Sequence, residues 1–168
     1  LVDIYKKSIG RGSVLLLNAT PDTTGLIPKS HVKRYKEFGK LLEKLFANPV
    51  ASTSGNKYVL EIEFGKTLAI NYVVIEEAIV HGQRVRKYKL EGLKNNKWEV
   101  ISEGESIGNK RVDEFTPIEV SKIRLRINEA IATPMIENFS VYFNENISNS
   151  TKDERRSDVP IIIKDWSS

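Results

Sequence analysis

The chain of 168 residues predicts a mainly β protein: an antiparallel β-sandwich preceded by one strand and one amphipathic helix. Three observations carry this expectation. From residue 57 onward, apolar residues recur at period two in short runs roughly ten residues apart, with no helical pattern between them. Ahead of them, Val32, Tyr35, Phe38, Leu41, Leu42, Leu45 and Phe46 fall at spacings of three and four, the signature of one buried helical stripe. Earlier still, Val14 to Leu17 is an unbroken apolar run between Gly10-Arg11-Gly12 and Asn18-Ala19-Thr20-Pro21-Asp22. Such a run reads as a strand buried on both faces, as in a parallel sheet.

The helix is expected from Pro28 to Asn48, with Lys33, Arg34, Lys36, Lys40 and Lys44 on its polar face. Ser30 is the candidate N-cap, and Asn48-Pro49 stops the helix because a residue before proline avoids the α region. Strands follow at Tyr58–Phe64, broken by Gly65-Lys66, then at Asn71–Glu76, Arg84–Leu93 and Lys97–Glu103, the last two joined by a turn at Lys94-Asn95-Asn96. Ile123, Leu125 and Ile127 alternate with basic residues, and Phe139, Val141 and Phe143 with polar ones. Trp98 is in phase with Val100 and is expected in the core. After Asn144 the chain turns polar, as a linker does, before a last short strand at Val159–Lys164. Three regions result: 1–48, the sandwich 49–145, and 146–168.

Composition narrows the function classes. Hydrophobic residues make up 40% of the chain, enough for a core. No apolar segment is long enough to span a bilayer, and no membrane partner is expected. The absence of cysteine excludes disulfides and Cys-based zinc sites. Residues 1–48 carry 9 basic and 4 acidic side chains, whereas residues 49–145 carry 13 and 14. The excess lies mainly on one helix rather than on a recognition domain, which argues against a nucleic-acid partner. His81, in a loop, and His31, on the helix, are the only histidines, and a two-histidine metal site would need a fold that brings them together. No metal and no cofactor are expected.

The run Leu1–Asn18 with Pro21-Asp22 and Gly25-Leu26-Ile27-Pro28 resembles the last strand and helix of the catalytic barrel of family 29 glycoside hydrolases, the α-L-fucosidases. In the same order, Ile75-Glu76-Glu77, Gly82-Gln83-Arg84-Val85, Lys97-Trp98-Glu99-Val100, Ser106–Arg111 and Ile123–Ile127 resemble the discoidin-like domain (coagulation-factor 5/8 type C, galactose-binding-like jelly roll) that follows that barrel. The resemblance covers residues 1 to about 143 and departs in one place. Between Ala51 and Tyr58 the family usually carries a longer segment with a Tyr-Trp pair, where this chain has only Ser52-Thr53-Ser54-Gly55-Asn56.

The resemblance implies a retaining α-L-fucosidase, removing terminal α-L-fucose from glycans, with an upstream catalytic barrel as partner and a secreted or periplasmic location. A retaining glycosidase needs two carboxyl groups about 5–5.5 Å apart, and both are implied upstream of Leu1. No catalytic residue is therefore expected in the chain. Glu76 and Glu77 are adjacent on a strand and face opposite sides, so they cannot share a substrate; solvated or salt-bridged strand-end roles are expected. The sandwich is expected to stabilise or frame the barrel; the alternative is a carbohydrate-binding module. Candidate glycan contacts are His81, Arg84, Asn109 and Arg111, with Lys110 as a further donor and Trp98 as the available stacking surface. Asn18, just past Leu17, is the candidate barrel-rim residue, or else a turn residue bonding its own backbone. Of the four Asn-x-Ser/Thr sequons, at Asn18, Asn138, Asn146 and Asn149, none is expected to carry a glycan. The helix stripe must pack on the sandwich, on the barrel or on a second copy, so self-association through the helix is a further expectation.

Overall fold

The computed structural model describes residues 1–144. Two helices, α1 (Val2–Lys7) and α2 (Lys29–Phe46), precede six strands: β1 (Ala51–Gly55), β2 (Val59–Glu77), β3 (Val85–Lys94), β4 (Lys97–Gly104), β5 (Arg111–Ala130) and β6 (Ile136–Tyr142). The strands form one sheet in the order β1-β6-β2-β5-β3-β4, and every pairing is antiparallel.

β2 and β5 run for 19 and 20 residues and each serves two wings of the sheet. Val59–Glu63 pairs with Lys122–Arg126, whereas Leu68–Ile75 pairs with Arg111–Val120. The register shifts between them, where Gly65 takes a φ of +69°, and a bulge of this kind bends a strand without ending it. The expected break at Gly65-Lys66 is thus a bend, and the two short strands around it are one long strand. Beyond the bend, Tyr72–Glu77 also pairs with β6, and on the other wing Val85–Leu93 pairs with the second half of β5. Leu60, Ile62, Leu90 and Leu125 from one wing and Val73, Ile75, Phe139 and Val141 from the other are all buried in a single core cluster. The sheet is bent round its own core, consistent with a β-sandwich.

β3 and β4 join through Asn95 and Asn96, with φ of 50° and 60°, the left-handed pair that a two-residue type I′ hairpin requires. A register shift at Ile101 then changes which side chains of β4 face inward. Ile101 packs against the core, whereas Val100 is exposed. Trp98 lies opposite Leu93 and is only half-buried. It does share a face with Val100, but that face is the outer one. The core position expected of Trp98 is overturned by one bulged residue.

The region before the sheet departs furthest from expectation. Val14 to Leu17 forms no strand, with Val14 89% and Leu16 87% exposed. A parallel strand needs neighbours on both sides to pair its backbone, and the described residues contain none. The chain instead opens with the unexpected α1. The second helix begins at Lys29 with Pro28 at its N-cap and no side-chain cap, so Ser30 lies inside it. Its C-terminal end docks on the sheet: Leu45 is buried, and the Phe46 ring meets Tyr72 and Tyr142 edge-on at 6.2 and 5.7 Å. Tyr5 of α1 packs against both Phe38 and Phe46. Farther up the stripe, Val32 and Leu41 are exposed. The strand expected at Val159–Lys164 and the linker before it lie outside the described residues.

Two glycines should respond in opposite directions. A β carbon on Gly92 would sit 2.6 Å from Val120 Cγ1 and 2.8 Å from Ile101 Cδ1, so Gly92→Ala should overpack the core at a cost of about 1–3 kcal/mol. Gly39, on α2, has nothing within 4 Å of that position, and Gly39→Ala should stabilise by about 0.5–1 kcal/mol. Urea titration of the two variants checks both signs.

Candidate functional site

At the end of the sandwich where β2 stops, Glu77 is 2% exposed. Its Oε1 accepts the backbone N–H of Arg84 at 2.9 Å and of Val85 at 3.0 Å. Its Oε2 accepts that of Gly108 at 2.9 Å. The carboxylate needs no cation because three amide dipoles converge on it. Glu77 is neither solvated nor salt-bridged, contrary to expectation, while Glu76 behaves as expected. On the other face of β2, Glu76 takes Lys110 Nζ at 2.9 Å and the Asn138 amide at 3.0 Å.

Glu77 therefore draws the segments around residues 78–84 and 106–109 to one place. Among the candidate glycan contacts, it gathers His81, Arg84 and Asn109 at this end. His81 closes a short 3-10 turn and is exposed, as is Asn109. The Arg84 guanidinium donates to the carbonyls of Thr133 at 2.8 Å and His81 at 3.4 Å, which spends much of its donor capacity on holding loops.

Arg111 does not join them. Its Nε donates to Asp113 Oδ1 at 2.8 Å, and its guanidinium lies 5.8 Å over the Tyr88 ring. Asp113 is 2% exposed and also accepts the Tyr88 hydroxyl at 2.6 Å. Burial, and then the neighbouring carboxylate, push the Tyr88 hydroxyl far above the usual phenol range. Asn18 is exposed, and its carbonyl accepts the Tyr35 hydroxyl at 2.5 Å. The side chain that makes the local turn is Asp22, which accepts from Thr24 N, Thr24 Oγ1 and Leu26 N. Among the described residues, no group of three His, Cys, Asp or Glu side chains is placed to hold a metal ion.

A second constellation, not anticipated from sequence, lies on the outer face. The Arg124 guanidinium stacks 4.0 Å from the Trp98 ring centroid, and its Nε donates to Glu91 at 2.7 Å. Arg126 donates to the same oxygen at 3.1 Å. The hydrogen bond and charge of Arg124, with those of Arg126, hold the Glu91 carboxyl below the usual carboxylate range. The alternation of Arg124 and Arg126 with apolar residues signals this face, but the partners of the two arginines come from other strands.

No family model matches the chain. It is 28% identical to α-L-fucosidase 1 of Arabidopsis thaliana, over 90% of this chain and 38% of that protein. It superposes on a crystal structure of a Bacteroides thetaiotaomicron protein assigned as an α-L-fucosidase with a TM-score of 0.83 and 43% identity, covering 86% of this chain and 33% of that one. It matches the C-terminal part of a family 29 α-L-fucosidase. A Ruminococcus gnavus family 29 fucosidase solved in complex with fucose also matches, at 26% identity and a TM-score of 0.72, over 86% of this chain and 36% of that chain. The chain thus spans about a third of the length of each of these relatives. The aligned span with the Arabidopsis protein, 192 residues, exceeds the 168 of this chain, so the relative is longer in at least one place.

Two outcomes test the polar anchors. Glu77→Gln turns an amide NH₂ toward backbone N–H donors and should cost about 1–3 kcal/mol, with Glu77→Ala at least as severe by thermal melt. For Glu91 the folded carboxyl is lowered, so its stabilisation is present above the unfolded pKa and is lost as pH falls through the folded value. The stability gap between wild type and Glu91→Gln should therefore be open at neutral pH and close in acid, below the usual carboxylate range.

Proposed function

We propose that the chain is the C-terminal accessory region of a retaining α-L-fucosidase acting on terminal α-L-fucose of glycans, in a secreted or periplasmic enzyme. Residues 1–48 are then the closing strand and helix of the catalytic (β/α)8 barrel, residues 49–145 a discoidin-like jelly roll that stabilises or frames it, and residues 146–168 an appended tail. The observation that carries this reading is the uncovered apolar surface ahead of the sheet. Val14, Leu16, Leu26 and Ile27 are exposed in a segment without regular structure, and Leu41 and Val32 extend that surface along α2. Each large apolar side chain left in water forgoes roughly 1.5–3 kcal/mol. A parallel barrel would supply both the missing strand neighbours and the cover for the stripe.

The second reading, a carbohydrate-binding module, is supported by the meeting of His81, Arg84 and Asn109 at one exposed end. The segments 78–84, 105–110 and 131–135 contain no Phe, Tyr or Trp, so a sugar would find hydrogen bonds there without a stacking face. Net hydrogen-bond gains of about 0.5–1.5 kcal/mol each place the expected affinity no tighter than about 1 mM.

Calorimetric titration with fucose, galactose and a fucosylated oligosaccharide should show binding no tighter than this; micromolar binding lost in Arg84→Ala would favour the module reading instead. In the protein carrying the polypeptide that precedes Leu1, Val14→Asp combined with Leu16→Asp should abolish at least about nine-tenths of aryl α-L-fucoside hydrolysis, a loss of some 1.4 kcal/mol or more. Full activity in that double variant would remove the barrel reading of this segment.

A further inference from the structure

Asp113 and Glu114 are neighbours on β5, so their side chains leave opposite faces of the sheet, yet both end on the first dozen residues of the chain. On the inner side, Asp113 Oδ1 accepts from Arg11 at 3.3 Å while Arg111 and Tyr88 complete its shell. On the outer side, Glu114 accepts from Lys6 Nζ at 2.6 Å and from the Tyr72 hydroxyl at 2.5 Å. Between these two grips the backbones themselves pair: Arg11 bridges Arg111, and the Val112 N–H donates to the Gly10 carbonyl at 2.9 Å. There is no slack at this point, because a β carbon on Gly10 would lie 2.6 Å from the Lys6 carbonyl oxygen.

The first half of β5 has β2 on one side only, and Gly10 and Arg11 pair with the start of its other edge, at Val112 and Arg111. Residues 6–11 are therefore held from both faces and along the strand. Immediately beyond them, Val14 and Leu16 are bare. A firmly fixed exit followed at once by an uncovered apolar segment is the geometry of a mount. The outer pair is half-sheltered, with Lys6 14% and Glu114 41% exposed, and Glu114 also accepts the hydroxyl of the buried Tyr72.

We infer that Glu114, which holds Lys6, and Asp113, which holds Arg11, are positioning residues: together they fix the direction in which residues 14–17 leave the sandwich. Resting on the function proposed above, they thereby orient the catalytic part of the enzyme relative to the sandwich.

Two measurements separate the parts of this inference. In the 168-residue chain, hydrogen exchange reads the amides of Arg11, Gly12 and Ser13, which donate to Ser8, Ile9 and Ser8 in the turn leaving α1. Glu114→Gln and Arg11→Met should each speed their exchange by about tenfold or more while β2 amides are unchanged, as a local opening requires. The swap Lys6→Glu with Glu114→Lys should restore protection if the pair acts as a unit. Unchanged exchange in both single variants overturns the mount. In the protein carrying the preceding polypeptide, the same variants should shift the KM for an aryl α-L-fucoside about threefold or more at an unchanged melting temperature, with recovery in the swap. Faster exchange with unaltered kinetics would keep the mount and overturn its link to the catalytic part. Absence of fucosidase activity in that unmutated protein would overturn the functional reading on which the link rests.

Discussion

The structure depends on the antiparallel pairing of β2 with β5 across a bend. Each strand has two halves that belong to different wings, so this one pairing closes the sheet round its core. β6 joins one wing and β3 the other only because β2 and β5 offer them edges there. The bend costs ladder bonds at two register shifts. Gly65 absorbs one by adopting a left-handed conformation, and Pro117, which has no N–H to donate, falls within the other. A proline is tolerated at such an irregular position and not in the middle of a regular ladder.

Buried charge is handled in two ways. Glu77 accepts three backbone N–H groups, so it locks loops without recruiting a cation. Asp113 is met by Arg111, Arg11 and the Tyr88 hydroxyl, which ties the start of the chain to the inner face of β5. Among the described residues, no buried side-chain polar atom lacks a partner. The outer-face pairs, such as Lys122–Glu63 and Lys89–Glu103, are partly exposed and contribute little to stability. They keep the sheet face and the β4 edge polar, which discourages unwanted strand addition.

The regions before the sheet and within it differ in how completely they are satisfied. The sheet has a closed core, whereas the helix stripe is covered at Phe38, Leu45 and Phe46 but exposed at Val32 and Leu41, and Val14, Leu16, Leu26 and Ile27 are exposed. The loop end gathered by Glu77 offers the exposed side chains of His81 and Asn109, while the Arg84 guanidinium is spent on the His81 and Thr133 carbonyls.

The sequence alone determined most of the strands and the long helix, because periods of two and of three to four report directly which face each element buries. Through an ordered set of short motifs it also carried the resemblance to the C-terminal part of family 29 α-L-fucosidases. It was silent on β1, whose Ser and Thr residues carry no hydrophobic alternation, and on α1, whose one buried side chain, Tyr5, leaves no stripe to read. The candidate site was legible only as residue types. That His81, Arg84 and Asn109 meet while Arg111 turns inward to Asp113 was decided by Glu77 and by long-range register. Likewise, one bulged residue at Ile101 moved Trp98 from the expected core to the outer face, since a shift of one residue exchanges the two faces of a strand. Local patterns fix which residues share a face; only pairing between distant strands decides which face is the inside.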